Sequence, residues 1–300
     1  MFRQARWLAA AALLGSAATV KAQEFPLAPL IARLPGSTRA LGMANADAGG
    51  RESDVIFYNP AQLAVARGTG ASAEFYHQAD LLVTLSTVLA LGPGTVGVGV
   101  QSLTFSNTGV AYAAPDALDT SGSTPSSGLV FALGYAQPLF GMRAGINAKL
   151  LEQDIGSTND NRGSLDFGLA RDLLHGTLGL SLQNVGPAFR STYGTVSQPT
   201  RTSLGFSTDR YLVGPFDVIA AATTSLVRGR DFIPGGGGEI SYSWLDGYSI
   251  AARAGVRRAA EGEGPWTVGF GISADRLSLD YAYESRYHGH GAHRIGVRVR

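Results

Sequence analysis

From Gly70 to Arg300 the chain alternates apolar and polar residues with a period of two. In the stretch from Leu277 to Glu284, Leu277, Leu279, Tyr281 and Tyr283 fall on one side and Ser278, Asp280, Ala282 and Glu284 on the other. Strands place successive side chains on opposite faces, so each such stretch builds a ribbon greasy on one face and polar on the other. The pattern recurs about fourteen times, in segments near the roughly ten residues that a tilted strand needs to cross a bilayer. It is centred near Ala73, Leu85, Val100, Phe131, Ile146, Phe167, Leu180, Leu204, Ala220, Ile240, Ala252, Val268, Leu279 and Val297. The apolar face meets either a soluble core or lipid, and the two choices imply different functions.

The connectors separate them. Short joins fall at Gly92-Pro93, Pro138 to Phe140, Asp172 to Gly176, Arg210 to Val213, Leu245-Asp246 and Asp275-Arg276. Longer ones, Ser106 to Ser127, Gln153 to Arg162, Gly186 to Thr200, Gly229 to Gly235, Ala259 to Gly264 and Arg286 to Gly291, alternate with them. Sorting by length is the habit of an outer-membrane barrel, with short periplasmic turns and long extracellular loops, and an even strand number leaves both chain ends periplasmic. The 40 glycines fit turns and close-packed strands better than helices. Leu81 to Val100 carries no charge, but Gly92-Pro93-Gly94 breaks it into two strands and a hairpin rather than a membrane helix. Glycine-rich Val96 to Val100 is a place for a bulge or kink.

Facing follows from parity. Trp266, Val268, Phe270 and Ile272 are expected to face lipid, as are Ile240, Tyr242 and Trp244, and Leu178, Leu180 and Leu182. Trp244, Tyr248, Trp266 and Tyr281 lie near strand ends, where interfacial aromatic belts form. The opposite parity holds Glu239, Arg253, Arg257, Asp280, Glu284, Arg294 and Arg298, a candidate lumen charge ladder in which Asp280 and Glu284 pair with Arg294 and Arg298 on the next strand. A structural role, with these charges satisfying one another and holding the wall, is the plainer reading. On this assignment Leu279→Arg is costly, on the order of 2–4 kcal/mol near the midplane, and Asp280→Asn is milder because one cross-strand pair at most is lost.

The remaining regions are of other kinds. Met1 to Ala22 reads as a signal peptide, with basic Arg3 and Arg6, an apolar run from Trp7 to Leu14, and Val20-Lys21-Ala22 before the cleavage point. Cysteine is absent, which excludes disulfides, thiol chemistry and a lipidated cysteine. Charge is balanced at 24 basic against 23 acidic residues, so no nucleic-acid partner is expected. Residues Gln23 to Thr69 lack alternation, and a helical turn is expected over Pro60 to Ala66.

Two motifs in that segment carry a resemblance. Arg39-Ala-Leu-Gly-Met-Ala-Asn-Ala46, followed by Ile56-Phe-Tyr-Asn-Pro-Ala-Gln-Leu63, resembles the amino-terminal hatch of the FadL-like outer-membrane proteins. These include long-chain fatty-acid and aromatic-hydrocarbon channels and the PorV/PorQ proteins linked to type IX secretion. The ending His293 to Arg300 is similar to the last strand of PorV/PorQ-type chains. The resemblance implies an all-β, fourteen-stranded antiparallel transmembrane barrel over 70–300. It also implies a hatch over 23–69 with Asn59, Pro60 and Ala61 as its motif, in the bacterial outer membrane. Proline fixes its own backbone and keeps Asn59 out of helix, and the asparagine side chain can cap the turn that follows. The chain departs from the pattern at Gln62, where glycine is usual, and at Arg300, where an aromatic is usual. It is also much shorter than the fatty-acid channels.

The implied function is passive passage of small hydrophobic molecules through a hatch-plugged barrel surrounded by outer-membrane lipid. A PorV/PorQ-like accessory with a secretion-system partner, or a structural or surface-binding barrel, is the alternative. A channel is expected to show an apolar pocket between hatch and wall, with a displaced strand as lateral exit. Enzyme and cofactor motifs are lacking. His288, His290 and His293 sit in a loop without carboxylate or cysteine partners, which reads as solvated rather than as a metal site. Pro234 to Gly238 lacks the Lys-Ser/Thr of a phosphate loop, no Gly-x-Ser-x-Gly elbow occurs, and neither His77 nor His175 has an evident serine partner.

Overall fold

The structure is a computed structural model that describes residues 29–76, 80–106, 125–155, 158–191, 194–228, 232–259, 263–286 and 291–300. The expected signal peptide, His77, His288 and His290 lie outside the described residues. The strands are β1 (Thr69–Phe75), β2 (Leu81–Leu91), β3 (Gly94–Ser106), β4 (Pro125–Leu139), β5 (Met142–Ile155), β6 (Thr158–Leu173), β7 (Gly176–Val185), β8 (Phe189–Ser191), β9 (Gly194–Val196), β10 (Arg201–Thr208), β11 (Tyr211–Val213), β12 (Phe216–Val227), β13 (Phe232–Leu245), β14 (Tyr248–Arg257), β15 (Glu263–Ala274), β16 (Leu277–Arg286) and β17 (Ala292–Val299). Every pairing is antiparallel. β1 pairs with β17 and β10 with β12, so fourteen of these strands close into a barrel with no free edge. β11 is a short extension on β12, and β8 with β9 forms a separate hairpin. Each of the fourteen alternating segments lies in one barrel strand.

Parity divides inside from outside. On β16, Leu277, Leu279 and Tyr281 are exposed on the outer surface while Ser278, Asp280, Ala282 and Glu284 are buried. Trp266, Val268, Phe270 and Ile272 repeat the outward row on β15, and Leu178, Leu180 and Leu182 on β7. A continuous apolar exterior of this kind suits hydrocarbon and not water. Trp244 and Tyr248 meet at 6.3 Å beside the short turn Asp246-Gly247, and Trp266 and Tyr283 at 5.3 Å near the opposite rim. The two clusters occupy both strand ends, where aromatic belts sit.

Three sequence expectations are corrected. Gln153 to Arg162, expected as loop, lies largely in strand, because β5 runs to Ile155 and β6 starts at Thr158. The polar run from Asn159 to Arg162 hides this extension, since alternation disappears where neither face meets lipid. Gly186 to Thr200 carries the β8–β9 hairpin. Val96 to Val100 contains no bulge, because β3 keeps unbroken register with both β2 and β4. Register shifts fall instead at Leu165/Phe167, Ser243/Leu245 and Glu263/Thr267.

The Val96–Val100 glycines serve another end. A Cβ on Gly97 would stand 2.6 Å from Leu63, and one on Gly99 2.6 Å from Phe57. The amino-terminal segment therefore lies directly against the inner face of the wall. Its short helical turns, Leu30–Arg33, Thr38–Leu41, Ser53–Phe57 and Pro60–Ala64, pack on β2 to β6 and on β15 to β17. Val55, Ile56, Leu63 and Ala66 form an apolar cluster with Ala132 and Ala136 of β4.

Candidate functional site

Inside a closed wall, irregular backbone must find hydrogen bonds without bulk water, and unpaired groups there are costly. Inward side chains supply them. Asn147 donates to the Ile56 carbonyl at 3.2 Å, Gln183 to that of Phe57 at 2.8 Å, and Asn184 to that of Ala32 at 3.4 Å. Asn59 works in both directions. Its Oδ1 accepts from the Ala61 amide at 3.0 Å, capping the Pro60–Ala64 turn, while its Nδ2 donates to the Leu169 and Leu180 carbonyls of β6 and β7 at 3.2 and 3.3 Å. Pro60 and Ala61 are buried at the head of that turn. A Cβ on Gly145 or Gly168 would collide with Pro60 and Asn59, so those inward glycines admit the Asn-Pro-Ala backbone. Gln62 is buried and donates to the Ala48 carbonyl, bracing the segment across its own fold.

The charged residues of the expected ladder are gathered on the inner face, where Asp280 pairs with Arg298 as expected while other partners differ and the segment adds members. Arg39 donates to Glu239 at 2.9 Å, and Arg253 donates to the same carboxylate at 2.6 Å. Arg253 also reaches Asp280 at 2.7 Å, and Arg298 reaches Asp280 at 2.5 Å. Arg298 stands 2.8 Å from Glu52, and Glu52 lies 3.7 Å from Arg39. Six charges alternating in sign therefore form a closed ring joining β13, β14, β16 and β17 to the amino-terminal segment. Gly271 on the intervening β15 makes this reach possible, since a Cβ there would stand 2.7 Å from Asp280 and 3.0 Å from Arg253. Burial raises the Glu52 pKa, but the opposing pull of Arg39 and Arg298 wins and holds it below the usual carboxylate range. Asp54, buried beside Glu52, is pushed up to about 6 by desolvation and then by that neighbouring charge.

Arg294 and Glu284 do not pair with each other. Arg294, fully buried, donates to Glu74 of β1 at 3.0 Å and to the Pro35 and Gly36 carbonyls at 2.7 and 3.0 Å. Glu284 pairs with Arg257 and stands 3.8 Å from Arg286. Arg39, Glu52 and Glu74 were beyond the reach of sequence reasoning as partners. The segment has no period to orient its side chains, and Glu74 is two strands along from β16.

The segment does not fill the barrel. A cavity of ≈ 120 Å³ remains between it and the arc formed by β7, β10, β12 and β13. Its lining is mixed rather than apolar, which corrects the expectation of an apolar pocket. Leu30, Leu34, Ala44 and Ala48 come from the segment, and Ser181, Ser203, Thr223 and Ser225 from the wall. Parity on β10, with Arg201, Ser203, Gly205 and Ser207 opposite Thr202, Leu204 and Phe206, carries the signal for the polar side. Tyr58 also lines the cavity, donating to Asn45 at 3.1 Å and accepting from the Gly36 and Ser37 amides. Ala44 and Asn45 hold positive φ of 58° and 63° there. Among the described residues no cluster of three or more metal-ligating side chains occurs. His293 Nδ1 lies 2.8 Å from the Tyr281 hydroxyl on the outer face.

No protein-family model matches the chain, and no curated protein matches it. Solved structures share its fold. The Pseudomonas putida toluene transporter TodX superposes with a TM-score of 0.61 at 13% identity, covering 89% of this chain and 97% of that one. The CymD monoaromatic hydrocarbon channel gives 0.64 at 11% identity, covering 88% and 96%. A Pseudomonas aeruginosa FadL homologue gives 0.57 at 10%, covering 92% and 99%. The likeness at these identities is one of architecture.

Proposed function

We propose that this chain is a passive channel of the bacterial outer membrane for small molecules with hydrophobic bodies. The amino-terminal segment, residues 23–69, acts as its hatch and residues 70–300 as its wall, after removal of residues 1–22 as a signal peptide. The observation that carries this reading is the ≈ 120 Å³ cavity between segment and wall, within a fully closed barrel. Its volume is comparable to that of an engineered cavity of about 150 Å³ that holds benzene. The shared architecture with TodX and CymD supports the same reading. The charge ring and the Asn59, Pro60 and Ala61 contacts hold the hatch in place and leave the cavity arc uncovered. Both chain ends are periplasmic in this arrangement, because β1 starts and β17 ends on the side of the short turns. No observation favours a secretion accessory over a channel. Lipopolysaccharide-rich vesicles carrying the protein are expected to take up labelled monoaromatic solutes, toluene or benzoate, faster than protein-free vesicles. Equal rates for both solutes would overturn the proposal.

A further inference from the structure

Among the described residues, six two-residue turns lie at the short-turn end of the wall, and they are not alike. Gly92-Pro93, Phe140-Gly141, Leu174-His175 and Gly214-Pro215 follow one another around the arc from β2 to β12 and hold no Asp, Glu, Lys or Arg. The other two, Asp246-Gly247 and Asp275-Arg276, lie on the arc from β13 to β16 and are charged. On the first arc the turns hold apolar side chains away from the protein. Phe140 is 93% exposed, Leu174 92%, and Leu212, on the approach to Gly214, 80%. The Arg210–Asp217 pair, 3.2 Å apart, lies behind that last tip.

Water does not account for these residues. Tight turns in water favour Asn, Asp and Gly, and a bulky residue at positive φ is unusual. Asp275, with φ 52°, follows this rule, whereas Phe140 holds the same left-handed region with φ 49°. Asparagine would suit that backbone better, so the phenylalanine is matched to its surroundings and not to its turn. The wall shows what those surroundings are. Leu133 and Leu139 on β4, and Leu169 and Leu173 on β6, belong to outward apolar rows that Phe140 and Leu174 continue past the strand ends. Arg171, in the second of these rows, has the reach to bring its guanidinium to the headgroups while its stem stays among acyl chains. On the other arc the aromatics Trp244 and Tyr248 flank Asp246-Gly247 directly, which puts that turn at the interface.

We propose that the four uncharged turns form a lipid-docking crown, seated among the acyl chains of the leaflet at the short-turn end. The barrel is then sunk deeper along the β2–β12 arc than along the β13–β17 arc. The occupant is lipid because the crown directly continues the lipid-facing exterior. The inference concerns how the wall is seated, and it stands whether or not the cavity conducts.

The chain has no cysteine, so a single nitroxide label can be placed without background. The protein carrying Phe140→Cys, Leu174→Cys, Asp246→Cys or Arg276→Cys is folded into phospholipid vesicles. Collision of the label with oxygen, which concentrates among acyl chains, is compared with collision with a water-soluble nickel chelate. At Phe140 and Leu174 oxygen contact is expected to exceed nickel contact several-fold, as at the outward wall reference Leu150→Cys, and at Asp246 and Arg276 the order reverses. Nickel contact at Phe140 and Leu174 as high as at Asp246 and Arg276 puts the turns in water and overturns the inference. Protection from both reagents puts protein there, a partner or a second copy, and overturns it equally. Phe140→Asn gives an independent reading, because asparagine suits the left-handed turn and would hold or raise the urea midpoint in water. In lipid it loses the apolar contact, so the midpoint in vesicles is expected to fall, and an equal or higher midpoint overturns the inference. Unaltered heat-modifiable migration shows that each variant is folded, and two separate turns guard against failure of either one. Absence of that migration in the unsubstituted protein would overturn the membrane barrel itself.

Discussion

Arg253 is the residue whose surroundings say most about the interior. It bridges Glu239 and Asp280, and its side chain is 4% exposed. Breaking a buried pair costs about 3–5 kcal/mol, because the remaining charge stays buried without compensation. Arg253→Met, which keeps bulk, is therefore expected to lose about that much stability, read from the urea midpoint in vesicles. A loss below about 1 kcal/mol would put the ring in the class of exposed pairs. Asp280 accepts from two arginines rather than one, so Asp280→Asn is expected to cost more than strand parity alone suggests. Asp54 brings a pH dependence of opposite sign to the usual carboxylate. Its native pKa of about 6 lies above its unfolded value, so the native state holds the proton more tightly. The resulting stabilisation is full below about pH 4 and is lost as pH rises through 6, by about 1.4 kcal/mol per pH unit at most. Glu52, depressed in the native state, works in the other direction and loses its contribution as pH falls. The difference between wild type and Asp54→Asn isolates the Asp54 share: the variant's midpoint should rise relative to wild type from pH 4 to 7. A difference that is flat across that range would contradict the assignment.

Among the elements, barrel strands were legible and the inner segment was not, for one physical reason. A wall with lipid outside and a polar interior must alternate, so Leu277 to Glu284 reveals both its strand and its facing. The segment from Leu30 to Arg67 packs against wall, cavity and itself with no lipid-facing side, so it carries no period, and only Asn59-Pro60-Ala61 announces a turn. The inward glycines are intermediate. Their positions are visible in the sequence, but Gly145, Gly168, Gly237 and Gly255 gain meaning only once Pro60, Asn59, Met43 and Ala44 are found against them. Gly168→Val tests this docking at the element scale. Its branched side chain would meet Asn59 and Pro60, while β6 keeps its ladder and valine suits a strand. The variant is expected to fold and insert as wild type does, yet to expose the segment to added protease. Protection equal to wild type would show that the Asn59 contact does not hold the segment.

On the proposed reading the molecule as a whole is a self-sufficient wall with a separable filling. The ladder of main-chain pairs closes around the barrel without help from residues 29–67. The wall also keeps its own ion pairs when the segment is removed, with Glu239 on Arg253 and Asp280 on Arg298. On the proposed reading the segment contributes obstruction, together with one side of the cavity. Its removal should therefore change permeability far more than foldedness. The direct measurement is ion current across planar bilayers for the intact protein and for a deletion of Gln23 to Gly68, which stops short of β1. Heat-modifiable migration establishes that both have inserted as barrels. Small or intermittent currents are expected from the intact chain, and large, steady steps from the deletion. An inserted deletion barrel that conducts no better than the intact one would contradict a hatch-plugged channel.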